Sequence, residues 1–220
     1  MQIFTRLFVA ALLLTAAIRF ALALRQIHHV QRCRGQVPEP FATDISLAAH
    51  QKAADYTVAK TRLTLLSLVL DLILTLVWTL GGGLATLDDL WWVAGLGPLT
   101  TGVLVIGSFA LLNMLVGLPL GIYSTFGVEA DFGFNRTTPQ TYIVDMLKGL
   151  ALAVALGAPL LYAALFLMRK SGDLWWVYVW TLWFGFSLLM IWAYPVFIAP
   201  LFNKFSPLQD PDLKQRIETL

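Results

Sequence analysis

Charge is scarce in this 220-residue chain. Asp, Glu, Lys and Arg together make up 13% of it, about half of the roughly 25% that a water-soluble domain uses to cover its surface. That shortage excludes a soluble globule. Cysteine is nearly absent as well: the single Cys33 cannot close an intrachain disulfide, so a disulfide scaffold is excluded and the thiol reads as a spectator. Net charge is also small, since 15 basic residues against 13 acidic ones leave +2, too little to steer a polyanion, and no nucleic-acid partner is expected. What the chain does have is apolar side chains, 58% of all residues with a mean hydropathy of +0.74, which excludes a disordered chain. The composition is that of a membrane protein of the all-α class.

A membrane-crossing helix needs about 20 mostly apolar residues at 1.5 Å rise each. Stretches at about 3–24, 63–87, 98–123, 146–168 and 174–199 meet that length, predicting a polytopic transmembrane helical bundle of five spans within residues 1–202. Five crossings put the two ends on opposite sides. Lys and Arg in short loops favour the cytoplasm. On one side lie Arg25, Arg32, Arg34, Lys52, Lys60, Arg62, Arg136, Lys148, Lys204, Lys214 and Arg216, eleven in all; opposite them are Arg6, Arg169 and Lys170, with Arg19 inside a span. The N-terminus is therefore expected outside and the C-terminus in the cytoplasm. Trp91 and Trp92 after span two, and Trp175 and Trp176 opening span five, fall at the outer interface, where indole rings settle. The rival reading of the first segment is a cleavable signal peptide, from Arg6, the apolar run 7–18 and Ala21-Leu22-Ala23. Cleavage would place the six basic residues of the first connection on the wrong side, so the segment is read as a span.

Arg19 and Asp71 are the charged residues well inside apolar segments, and a charge at membrane depth calls for a partner or a wet cavity. Counted from the cytoplasmic ends of their spans, they lie at depths of roughly 9 and 13 Å. The expectation is an Arg19–Asp71 intramembrane pair, or both groups facing one hydrated cavity; a helix-packing ion pair without substrate contact is the plainer version. Asn113 in span three is expected to make an interhelical hydrogen bond. Pro119, Pro159, Pro195 and Pro200 each remove an amide donor, so spans three, four and five are expected to kink or end there. Gly81-Gly82-Gly83 permits either close packing or a bend near the outer end of span two.

The first cytoplasmic connection has a hinge at Val37-Pro38-Glu39-Pro40. From about Ser46, helix formers run without Gly or Pro into span two, so one continuous helix is expected whose first turns lie below the membrane. None of the histidines, His28, His29 and His50, stands in H-E-x-x-H, the spacing that presents two imidazoles to zinc with a Glu base between them. No metal ligand and no catalytic residue is assigned to the chain. The third connection, 122–138, crowds Tyr123, Phe126, Glu129, Asp131, Phe132, Phe134, Asn135 and Arg136 into an ordinary length. Its plain reading has Phe132 and Phe134 anchoring a loop on the membrane interface or a neighbouring domain, with Glu129 and Arg136 as a surface pair. Glu129 and Asp131 as paired catalytic carboxylates is a weak reading, because spacing alone gives no perturbed environment. In the tail, Asp210-Pro211 reads as an N-cap followed by proline at the first helical position, and Leu213, Ile217 and Leu220 repeat on one stripe. So short a helix must pack on something. Residues 203–220 are thus expected to start a cytoplasmic segment leading to a further domain.

These cytoplasmic stretches resemble the CAAX prenyl protease type 1 family of integral-membrane zinc metalloproteases. The matching residues are His50-Gln51-Lys52-Ala53-Ala54-Asp55-Tyr56, Leu118-Pro119 through Thr125-Phe126, Glu129, Gly133-Phe134-Asn135, and Ile198-Ala199-Pro200-Leu201-Phe202 with Lys204-Phe205. The resemblance covers most of the chain from about residue 35 onward and is to the N-terminal membrane region. It implies an enzyme that wraps helices around a chamber and removes the last three residues of a prenylated C-a-a-X tail, with bacterial relatives acting on other membrane-associated or misfolded proteins. It further implies that zinc is the cofactor of the complete enzyme and that its ligands lie downstream, in an H-E-x-x-H helix and a later Glu that this sequence lacks. The chain alone would then be inactive and supply chamber wall. Its implied partners are the lipid bilayer, a downstream metalloprotease domain and a peptide or prenylated protein substrate. Glu129, Gly133, Phe134, Asn135 and Arg136 are the expected contacts to that domain or to substrate. The expected setting is a bacterial inner membrane, toward which the short loops lean, or the endoplasmic reticulum of a eukaryote. The alternative from another class is a stand-alone multi-pass scaffold or transporter-like protein, but the sequence shows no internal repeat of the transporter kind.

Overall fold

The computed structural model describes residues 2–205 together with Gln215 and Thr219, and among these every regular element is helical. Helix α1 (Gln2–Cys33) leads through a 3₁₀ turn at Glu39–Phe41 to α2 (Leu47–Thr79). A short α3 (Gly83–Trp92) and α4 (Pro98–Ile122) follow, and α4 passes without a break into a π-helical segment, Tyr123–Glu129. Next come α5 (Pro139–Lys170), a 3₁₀ turn at Gly172–Leu174, α6 (Trp175–Ala193), a second π segment at Tyr194–Ile198, and α7 (Ala199–Phe202). Among the described residues, five helical stretches are long and apolar enough to cross a membrane: Ile3–Cys33, Leu47–Thr79, Pro98–Glu129, Pro139–Lys170 and Gly172–Phe202.

The helices outrun their apolar parts. At 32 and 33 residues, α1 and α2 each extend about 50 Å at 1.5 Å per residue, against a hydrocarbon core of about 30 Å. Residues 25–33 and 47–62 are therefore polar extensions of membrane helices. At the start of α2, the Ser46 hydroxyl accepts a hydrogen bond from the Ala49 amide at 3.2 Å and caps the helix. Span two ends earlier than the expected residue 87. The glycine triplet makes a bend, with Gly82 at φ +76°, a conformation nearly free for glycine and strained for other residues, and α3 starts afresh beyond it.

The chain divides into two compact units, Met1–Thr138 and Pro139–Leu220. In the first, α2 is the central rod: α1 packs along it, and α3, α4 and the π segment meet it as well, while α3 lies against α4. Polar bonds tie these helices. Trp78 Nε1 donates to Asn113 Oδ1 at 3.2 Å, the interhelical bond expected of Asn113, and Trp91 Nε1 donates to Ser108 Oγ at 2.9 Å. In the second unit α5 packs on α6. There Lys148 donates to the Leu201 carbonyl at 2.7 Å, fastening α7 to α5.

Little of the surface is withdrawn from the surroundings. Among the described residues the buried ones are Ala54, Val58, Leu63, Leu87 and Val128, with Thr101, whereas Ile3 and Phe4 are 75% exposed. A soluble monomer rarely shows apolar patches of such extent, but hydrocarbon tolerates them because lipid tails are as apolar as leucine.

Two expectations need correction here. Residues 122–138 are not an extended loop: the chain stays helical through Glu129 and only then turns. Three of the prolines do not end their spans either, because Pro119 and Pro159 lie inside α4 and α5 and Pro195 lies within a π segment, whereas Pro200 stands two residues before α7 ends at Phe202. In lipid an unpaired backbone group is so costly that the ladder re-forms around a proline by local widening, and π segments stand four residues after Pro119 and around Pro195. The expected tail helix carrying Leu213, Ile217 and Leu220 lies outside the described residues.

Candidate functional site at the foot of the second helix

Lys52, Tyr56 and Lys60 follow one another at intervals of four residues and so share a face of the polar extension of α2. The π segment lies against that face. Lys60 Nζ donates to Glu129 Oε1 at 2.9 Å and to Ser124 Oγ at 3.1 Å, so both ends of the π segment are held by one ammonium group. The chain then reverses. Gly133, at φ +75°, closes the turn, its amide donating to the Ala130 carbonyl at 3.0 Å, while the amides of Phe134 and Asn135 both donate to the Glu129 carbonyl at 2.8 and 3.1 Å. Asn135 Oδ1 accepts from the Thr137 amide at 2.7 Å, a side-chain turn that fixes the exit of the strap.

Aromatic rings complete the clasp. Phe132 and Phe134 meet Tyr56 edge-on, with centroids 5.4 and 4.8 Å away and planes inclined by 69° and 67°, the arrangement that places a positive ring edge on a negative face. Lys52 Nζ lies 5.8 Å from the Phe134 centroid on the same side. Phe134 nevertheless remains 57% exposed, and Asp131 and Arg136 are exposed.

The structure thus brings Glu129, Gly133, Phe134 and Asn135 into one strap, with Arg136 at its exposed edge. It also corrects their expected partners. Glu129 pairs with Lys60 rather than Arg136, and Phe132 and Phe134 pack on Tyr56 of the same unit. The physical reason is the helical continuation to residue 129, which carries the strap back across α2. A Glu129–Asp131 catalytic pair has no support, since the Glu129 carboxylate is taken by an ammonium. Lys60 is the residue that sequence reasoning missed; the spacing of four from Lys52 and Tyr56 was the signal that could have found it.

Two further contacts join the ends of α1 and α2. Arg34 holds Asp55 through parallel bonds from Nε and Nη2 at 2.7 and 2.8 Å, and this hydrogen bonding, helped by the charge attraction, raises the Arg34 guanidinium above its ordinary value. His50 Nε2 donates to the Cys33 carbonyl at 3.0 Å, and the Cys33 thiol sits 3.8 Å from His29 Nε2. These donors do not fit a zinc centre: among the described residues, no three His, Cys, Asp or Glu side chains converge on a point that could hold a metal. No chemical step is therefore assigned to a metal on this part of the chain.

At membrane depth, Arg19 and Asp71 line the same cleft of about 140 Å³ between α1 and α2, together with Thr15 and Thr75. Both are exposed, and they do not form an ion pair within 4.0 Å, unlike Arg34–Asp55, Lys60–Glu129 and Lys148–Asp145. Asp71 also borders a second cleft, of about 260 Å³, on the α4 side, with Ser67 and Ser124.

Five long apolar helical stretches, few buried side chains and polar contacts at the helix ends, among the described residues, define a multi-pass α-helical membrane protein. The family described as CAAX prenyl protease N-terminal, five membrane helices, matches residues 26–204. The chain belongs to that family. It is 32% identical over 197 residues to the CAAX prenyl protease 1 homolog of Oryza sativa subsp. japonica, covering 84% of this chain and 45% of the relative. It is 45% identical over 117 residues to the CAAX prenyl protease 1 of Saccharomyces cerevisiae, covering 52% of this chain and 25% of that protein. Among solved structures, the crystal structure of S. mikatae Ste24p resembles it with a TM-score of 0.87 at 30% identity, over 96% of this chain and 50% of that one. The chain spans half or less of the length of these relatives.

Proposed function

We propose that this chain is the membrane portion of a zinc metalloendopeptidase acting on prenylated C-a-a-X or other membrane-associated proteins, and that the metal ligands belong to a segment outside these 220 residues. The observation that carries the reading is the likeness to S. mikatae Ste24p, which extends over nearly all of this chain but only half of that one. In this reading α1 to α6 form wall, and the strap on α2 presents Phe134 and Arg136 outward, where the metal-bearing domain or a substrate would meet them. Glu129, Gly133 and Asn135 position the strap. The basic ends of α1 and α2 favour a cytoplasmic foot with the N-terminus outside, which reporter fusions at each terminus would test. The short connections support a bacterial inner membrane, which fractionation of the host would check.

The reading requires an in-frame H-E-x-x-H beyond codon 220; a stop there would overturn it. Joined to that continuation, the protein should cleave a farnesylated C-a-a-X peptide in a chelator-sensitive way. Arg136→Ala and Phe134→Ala should then lower kcat/KM while leaving bound zinc unchanged. No observation favours the scaffold or transporter-like alternative.

A further inference from the structure

A separate cleft of about 380 Å³ opens between the polar ends of α1 and α2, lined by Gln31, Arg34, Asp55, Val58, Ala59 and Arg62. Its volume lies within the roughly 300–1,000 Å³ typical of small-molecule sites. Position along the helices sets its depth. Leu24 ends the apolar stretch of α1 and Leu63 begins that of α2, so Arg62 stands at the membrane boundary. Gln31 and Arg34 follow Leu24 by about seven and ten residues, roughly 10 to 15 Å further out at 1.5 Å per residue. The cleft therefore covers the headgroup layer.

Its charge is unbalanced. Asp55 is neutralised by the two-pronged contact from Arg34, whereas Arg62 has no ion-pair partner among the described residues. One uncompensated cation remains, beside a neutral amide from Gln31 and a small apolar floor of Val58 and Ala59. On the membrane side, Leu24, seven residues before Gln31 on α1, and Leu66, four residues after Arg62 on α2, continue the same helix faces and are exposed. A positive, partly polar cleft that continues into an apolar surface matches one amphiphile.

We propose that this cleft binds the phosphodiester headgroup of an anionic phospholipid, with Arg62 at the phosphate, Gln31 and the outer edge of Arg34 toward the headgroup hydroxyls, and the acyl chains along Leu24 and Leu66. Basic pockets between membrane helices at the headgroup level recognise lipids in this way. A free phosphate would satisfy Arg62 but would leave the apolar continuation uncovered. The inference does not depend on the proposed proteolysis.

The test uses the full chain in nanodiscs of phosphatidylcholine with a minority of phosphatidylglycerol, with native mass spectrometry counting retained lipids. The wild type should retain phosphatidylglycerol in preference to phosphatidylcholine, and Arg62→Gln should weaken that preference about fivefold, the effect of one cation at an anionic surface. Arg62→Lys should keep most of it, and Gln31→Glu, which puts a carboxylate in the cleft, should abolish it. Inorganic phosphate added to the chain in pure phosphatidylcholine should leave the melting temperature unchanged. An Arg62→Gln protein with native circular dichroism and undiminished phosphatidylglycerol preference would overturn the proposal. So would inorganic phosphate that stabilises the chain as much as phosphatidylglycerol does.

Discussion

Lys60 and Asp71 stand about eleven residues apart on α2, roughly 16 Å along one helix, and their surroundings differ in kind. Lys60 is held by Ser124 and Glu129 and screened by the Tyr56–Phe132–Phe134 cluster. Asp71 borders two clefts, is exposed, and pairs with no cation among the described residues, although Arg19 lines one of those clefts with it. Ser124 belongs to both regions, bonding Lys60 and lining the α4-side cleft of Asp71. Near a helix end, water keeps the cost of burying an ion pair small, so a lysine and a glutamate can serve as a fastener. Deep in a span, an ionised carboxylate facing hydrocarbon would cost about 2.5–3.5 kcal/mol, so the clefts of Asp71 must face water or protein rather than lipid. The foot of α2 is thus a fixed part, and the middle of α2 is an open polar one.

Breaking the fixed part should have the largest effect. Tyr56→Ala removes two ring pairs worth roughly 1 kcal/mol each, so local stability of the strap should fall by about 2 kcal/mol. Exchange of the Phe134 and Asn135 amides, which bond the Glu129 carbonyl, should speed up roughly thirtyfold. Unchanged exchange would mean that the rings do not hold the strap. Gly133→Ala comes next. A Cβ there would meet Lys52 Nζ only at an ordinary 3.9 Å, so the penalty is the left-handed backbone alone, about 1–2 kcal/mol by denaturant titration in detergent.

The contrast between the two charged regions is sharpened by a pair of double-mutant cycles. Lys60→Ala with Glu129→Ala should reveal a coupling of about 0.5–1 kcal/mol that shrinks in high salt, because the side chains are 39% and 31% exposed. Arg19→Gln with Asp71→Asn should be additive within about 0.5 kcal/mol, the behaviour of groups that share a cleft without a contact. Equal couplings would erase the distinction between fastened and open charge.

Composition made the membrane class and the number of crossings legible, because apolar length is a requirement that tertiary contacts cannot override. Asn113 was legible too: an amide at depth needs a partner, and Trp78 supplies one. The path of the chain after Pro119 was not. The stretch Tyr123-Ser124-Thr125-Phe126-Gly127, with its aromatic, hydroxyl and glycine residues, looks like a loop in water, and only the need to satisfy its backbone keeps it helical through Glu129. That error misplaced the partners of Glu129, since its contact with Lys60 spans 69 residues of sequence and leaves no local pattern. Gly133 and Asn135 were expected as contacts to a further domain or to substrate, and what the geometry shows at both is turn chemistry.

Elemental analysis of the purified 220-residue protein, run beside a farnesylated-peptide cleavage assay, tests most directly the claim that this chain is wall and strap rather than metal centre. Zinc well below one equivalent and no chelator-sensitive cleavage is the predicted result. A tightly bound equivalent of zinc together with cleavage by these 220 residues alone would contradict it.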